Sequence, residues 1–144
     1  MNNFELVETI RAYCTANGII FKYGPREVMN VLLGNEAYEA GQLVLLCSFD
    51  DTPTIVNGVV QAIDYVGFLS LGRKCETTTS ADLDETRIQK YDRRLSTLKQ
   101  LLMSTITTIM CENELEVLGV TFEERVNETD ENLDFIHTPI TFIQ

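Results

Sequence analysis

The chain reads as an α+β protein in which a mainly antiparallel sheet packs against an N-terminal helix and one long helix. Three observations predict this. Between about 82 and 114, Ile88, Tyr91, Leu95, Leu98, Leu102, Ile106 and Ile109 recur in steps of three or four, which lines them along one helix face. Two apolar stretches, 43–49 and 54–71, lie close enough in sequence to pair antiparallel. Two more, 115–126 and 133–143, follow the helix around a polar turn. That element order belongs to helix-on-sheet layers, and 144 residues is the size of one domain, 1–144.

Taken in order, Phe4, Val7, Ile10 and Cys14 predict the first helix, ended by Asn17-Gly18. Residues 19–23 are β-branched and aromatic and stop at Gly24-Pro25, the pattern of a short strand. Residues 26–33 read as a short helix or a further extended piece, and 35–41 as a loop. Residues 43–49 are nearly all apolar, as in a strand covered on both faces, and Asp50-Asp51-Thr52-Pro53 predicts a turn after them. From 54 to 71 the chain is extended again, with Asn57-Gly58 a turn or a bulge within it. An extended hairpin at about 43–72 results.

A polar linker, 74–81, leads to the long helix, where Asp82 and Glu85 have the form of a capping box and Thr79 or Ser80 offers an alternative cap. After the helix, Leu118, Val120, Phe122 and Val126 share one strand parity. Residues 127–132 predict a turn and 133–143 a last strand. Pro139 cannot donate to a ladder, which predicts an edge position for that strand.

A net charge of −11 argues against a nucleic-acid reader, because affinity for phosphate backbones comes mainly from Lys and Arg. Cys14, Cys47, Cys75 and Cys111 are widely spaced, without a zinc pattern, and read as free thiols in a reducing cytoplasm. The opening MNNFELVETI carries acids where a signal peptide carries bases, and no apolar run approaches the length of a membrane span. These features predict a soluble protein made in the cytosol. A helix over 82–114 would measure about 50 Å, longer than the roughly 35–40 Å diameter of a chain this size. Such a helix kinks or projects, and a projecting apolar stripe needs a neighbour to cover it.

Reactive constellations are scarce. His137 has no Ser or Cys at a recognised spacing. Asp50, Asp51 and Asp64 could ligate a metal but fit ordinary turn chemistry better. Gly24-Pro25 lacks the form of a phosphate loop. The reading is of a protein without catalytic residues, metal or cofactor. The charges are more informative. Arg87, Lys90, Arg93, Arg94 and Lys99 crowd the long helix. Glu112, Glu114, Glu116, Glu123, Glu124, Glu128, Asp130, Glu131 and Asp134 follow it, opposed only by Arg125. This predicts a subunit interface in which Arg87, Lys90, Arg93 and Arg94 of one copy meet Glu123, Glu124, Glu128, Asp130 and Glu131 of another.

The succession FELVETIRAYC, IIFKY, LVLLCSFDDTPTIVNGVVQAI, DLDETRIQKYDRRLSTLKQLL, LEVLGVTFEERV and FIHTPITFI resembles the tail-terminator and tail-completion proteins of tailed bacteriophages. The likeness is one of pattern and covers nearly the whole chain. It implies a ring in the neck or tail of the virion, with portal, connector or tail proteins as partners and DNA passing through without tight binding. A hairpin and a helix longer than that family's leave open a head-tail connector, with twelve copies instead of six. No catalytic set accompanies the family. The alternative is a cytosolic α+β module that binds a small ligand or regulates.

Overall fold

The computed structural model describes residues 1–24, 41–74, 95–125 and 133–144. Helix α1 spans Asn3–Ala16 and starts at a capping box: the Glu5 N–H donates to Asn2 Oδ1 at 2.9 Å and the Asn2 N–H to Glu5 Oε2 at 2.8 Å. It ends at Asn17, and Gly18 follows at φ +66°, a left-handed conformation that glycine adopts without the Cβ penalty. The buried stripe is Leu6, Ile10 and Cys14, and Phe4 stands 71% exposed. The expected stripe is therefore half right. At 3.6 residues per turn Phe4 falls about 120° around the helix from Ile10, whereas Leu6 lies one turn below it.

Among the described residues six strands follow, all in one sheet. Strand β1 is Ile20–Tyr23, β2 Leu43–Val56, β3 Val59–Lys74, β4 Glu116–Val120, β5 Glu123–Arg125 and β6 Leu133–Ile143, with helix α2, Ser96–Asn113, between β3 and β4. The spatial order is β1-β2-β3-β6-β4, and β5 continues beside β6. Among the described residues β1 with β2 is the one parallel pair; the other pairs are antiparallel. The α+β class and the antiparallel pairing of the 43–49 and 54–71 stretches are as the sequence predicts.

One face of the sheet carries both described helices. Leu45, Cys47 and Phe49 of β2, Tyr65, Leu69 and Leu71 of β3, and Ile136, Ile140 and Phe142 of β6 pack with Leu6, Ile10 and Cys14 of α1 and Leu98, Leu102, Ile106 and Ile109 of α2. Phe49 and Phe142 lie ring to ring at 5.6 Å. Val44, Leu46 and Phe135 form a smaller cluster on the opposite face, so β2 is covered on both sides as its continuous apolar run requires. The α2 stripe from Leu95 to Ile109 is buried as its spacing predicts, and Glu114 ends the helix with left-handed dihedrals (φ 53°, ψ 41°). The expectations for Arg26 to Leu33, for a linker and capping box, and for helix before Leu95 fall outside the described residues.

Three expectations need correction. The first is the turn at Asp50-Asp51-Thr52-Pro53. These residues belong to β2 and pair with Val66 through Ile63. The chain reverses instead at Asn57-Gly58, both at positive φ (52° and 77°), the conformation of a two-residue type I′ hairpin turn that Asn-Gly adopts best. A bulge leaves Gln61 as the extra residue, since Thr54 faces Ala62 while Ile55 faces Val60.

The second correction concerns the strand expected over 115–126, which within its described part, 115–125, is two strands. Leu118 is an extra residue between Val117, opposite Phe142, and Gly119, opposite Thr141. The bulge breaks the alternation, leaving Leu118 70% exposed while Val117 packs on the core. The third is Pro139. Strand β6 is not an edge: β3 flanks it on one side, β4 and β5 on the other. The registers explain how a proline fits there, because β4 pairs only down to Ile140 and β5 only from His137. Thr138 and Pro139 face the gap between β4 and β5, where a missing N–H costs no ladder bond.

Candidate interaction surface

The β2–β3 hairpin outruns the body that supports it. Strand β1 pairs with β2 only as far as Cys47, and β6 pairs with β3 only as far as Asp64, which faces Thr52. Beyond Thr52 no third strand flanks the ribbon among the described residues, and it continues four residues, about 14 Å at ~3.4 Å per residue. Residues 50–61 are all exposed. At the tip Ile55 faces Val60 and Val56 faces Val59, with Ile55 61% and Val59 59% exposed. The tip, 54–61, carries no charged side chain, while Asp50, Asp51 and Asp64 stand at its base.

Beside that base lies a groove of about 630 Å³ between α1 and β1, lined by Phe4, Val7, Glu8, Arg11, Phe21 and Tyr23. The two charges in it are paired: the Arg11 guanidinium donates to Glu8, and this hydrogen bond holds the Arg11 pKa above its usual value. The groove is fixed to the hairpin's root. Asn3 Nδ2 donates to the Phe49 carbonyl at 2.6 Å, and the Tyr23 hydroxyl donates to the same oxygen at 3.3 Å. Across the sheet the Tyr65 hydroxyl donates to the Met1 carbonyl at 2.5 Å. Burial raises the Tyr65 pKa, helped by Asp51 and Glu5.

Of the residues predicted to join copies, Glu123 and Glu124 are described. Both have partners within the chain: Glu123 with Arg125 at 2.5 Å, and Glu124 with Lys99 of α2 at 3.6 Å. Attraction between helix and acidic strand is thus made inside one subunit at this point. Asp134 is buried in β6 opposite Arg73. Arg87, Lys90, Arg93, Arg94, Glu128, Asp130 and Glu131 lie outside the described residues.

His137 has a partner that spacing did not reveal. Ser70 sits opposite it across the β3–β6 ladder, with Ser70 Oγ 2.6 Å from His137 Nδ1 and the Phe68 ring 5.1 Å from the imidazole. Ser70 is fully buried and His137 only 7% exposed. A buried side-chain hydrogen bond of this kind ties β3 to β6 and fixes their register. Asp50 and Asp51 are exposed strand residues, and among the described residues no three His, Cys, Asp or Glu side chains come together as metal ligands. Cys14 and Cys47 are buried and Cys111 exposed, all free thiols. Burial pushes the Cys14 pKa up to about 12 and raises that of Cys47 further. Cys75 lies outside the described residues.

The chain matches no protein-family model and no curated protein. Among the described residues no helix is long and apolar enough to cross a membrane. The exposed apolar hairpin and the groove at its root therefore stand as the candidate surface on geometry alone. The sequence did carry the hairpin's signal, since TIVNGVVQ is an apolar, uncharged stretch around Asn-Gly. The groove itself had no signal, because it joins residues of α1 to residues of β1.

Proposed function

We propose that this chain is a structural subunit of a ring in the neck or tail of a tailed bacteriophage, joining portal or head to tail and lining the path of the DNA. The observation that carries the reading is the hairpin. Its outer half exposes large apolar side chains on both faces and contributes little burial to its own subunit, which is how surfaces made for other subunits behave. An acidic chain, at −11, also suits the wall of a conduit, because like charge keeps DNA from sticking.

The test is assembly. Sedimentation velocity and negative-stain microscopy of the protein, alone and co-expressed with portal and tail proteins, should yield annular particles of six or twelve copies. A protein that stays monomeric and binds none of those partners would end the proposal. A second reading, a small-ligand or regulatory module, draws on the groove beside Phe4, whose volume of about 630 Å³ is of ligand-site size. It predicts a ligand-dependent rise in melting temperature across a metabolite screen; a flat screen removes it.

A further inference from the structure

The tip and the groove are different surfaces of one molecule, and they match in chemistry. We infer that copies of this chain meet head to tail, the β2–β3 hairpin tip of one seating in the α1–β1 groove of the next. This rests on the ring reading for the closure of the assembly and adds the contact that makes it.

Four observations carry the inference. Ile55, Val56, Val59 and Val60, between 47% and 61% exposed, present apolar surface on both faces of a ribbon, and clustered exposed apolar side chains are what interaction sites offer. The groove offers aromatic and aliphatic walls in Phe4, Val7, Phe21 and Tyr23, and Phe4, at 71% exposure, is the most exposed large apolar side chain described. A chain cannot fill its own groove with its own tip. Asn3 ties the groove to Phe49, and Val56 lies seven residues further along the strand, about 24 Å at ~3.4 Å per residue.

A second copy is the occupant that supplies both halves of the contact, and electrostatics leaves it unopposed at these two surfaces. Two chains of charge −11 repel wherever their acids face each other. Contact is least opposed where both surfaces are neutral. The tip has no charged residue over 54–61, and the Glu8 and Arg11 charges in the groove cancel in an ion pair. A basic partner would gain nothing at an uncharged tip and would favour the acids instead. Because knob and hole differ, the contact is heterologous, and it generates a ring when the rotation between copies closes.

The experiment uses two variants, Val59→Glu at the tip and Phe4→Glu in the groove, at side chains 59% and 71% exposed; circular dichroism and melting temperature verify that each folds. In sedimentation velocity the wild type assembles, and each variant alone weakens self-association by at least about tenfold. An equimolar mixture of the two then gives a species of two subunits and nothing larger, since the first variant keeps its groove and the second its tip. If the wild type forms rings and either variant leaves them intact, the contact is wrong while the ring reading stands. If the mixture stays monomeric, or the wild type is monomeric up to millimolar concentration, the contact is also overturned. The ring reading is then decided separately, by annular assembly with portal and tail proteins.

Discussion

The two halves of the β2–β3 hairpin share a ladder and little else. In the inner half, Leu45, Cys47, Phe49, Leu69 and Leu71 are almost fully buried beneath the helices, and Val44 and Leu46 are buried on the opposite face. In the outer half every residue from 50 to 61 is exposed. Hydrogen bonds are the same in kind along both, so the ladder cannot be what separates them. Burial separates them: about 25 cal/mol per Å² of apolar surface removed from water acts on the inner half, while a free two-stranded ribbon is marginal by itself. The inner half holds the fold, and the outer half is a surface on display.

Substitutions should expose that division. Leu69→Ala, in the inner half, is expected to cost about 2–5 kcal/mol through the lost burial and the cavity left behind, read as a lower urea midpoint at unchanged slope. An outer-half variant of equal cost would dissolve the comparison. Gly67→Ala tests the junction. A Cβ there would meet the Ser48 carbonyl oxygen at 1.8 Å, backbone that can yield only by parting the strands, so about 1–3 kcal/mol or more should be lost.

The thiols under the inner half give a pH signature. Cys14 and Cys47 hold their protons in the folded state well above the ordinary thiol value of 9.0. Unfolding releases the groups to ionise normally, so the unfolded chain binds fewer protons as pH rises. Stability from this source is intact below pH 9 and falls above it, by on the order of 1 kcal/mol per thiol at pH 10. Urea titrations at pH 8 and pH 10, repeated with Cys47→Ala, should show the difference shrink in the variant.

Outer-half changes should be smaller and local. Gly58→Ala puts a side chain at φ +77°, which costs roughly 1 kcal/mol. The loss should appear as faster amide exchange at the tip with little change in global unfolding. Val60→Ala, smallest of all, should move global stability by less than about 0.5 kcal/mol yet weaken assembly measurably.

What could be read from the chain followed from local pattern. The α2 stripe, the strand at Ile20–Tyr23 and the bounds of β6 were legible because side-chain period and end signals lie within a few residues. The hairpin turn was misplaced because Asp-Asp-Thr-Pro and Asn-Gly both signal turns. Only Asn-Gly tolerates two consecutive positive φ values, while the Asp-Pro segment is held straight by pairing with Ile63 through Val66. The Pro139 edge position failed for a related reason: the break between β4 and β5 is a property of another segment. Ser70 with His137 lies 67 residues apart and has no local signature, and the same holds for the groove that sets Phe4 beside Tyr23.

Sequence by itself determined the class of the molecule, the succession of its described elements apart from the split of β4 from β5, and the buried face of α2. Those features depend on backbone propensity and periodicity, which act within a turn or two. Tertiary structure decided which strands lie at the centre, where the ladder outgrows its support, and which distant side chains share a surface. Such choices are made by burial, and burial is settled only when the whole chain has competed for the same interior.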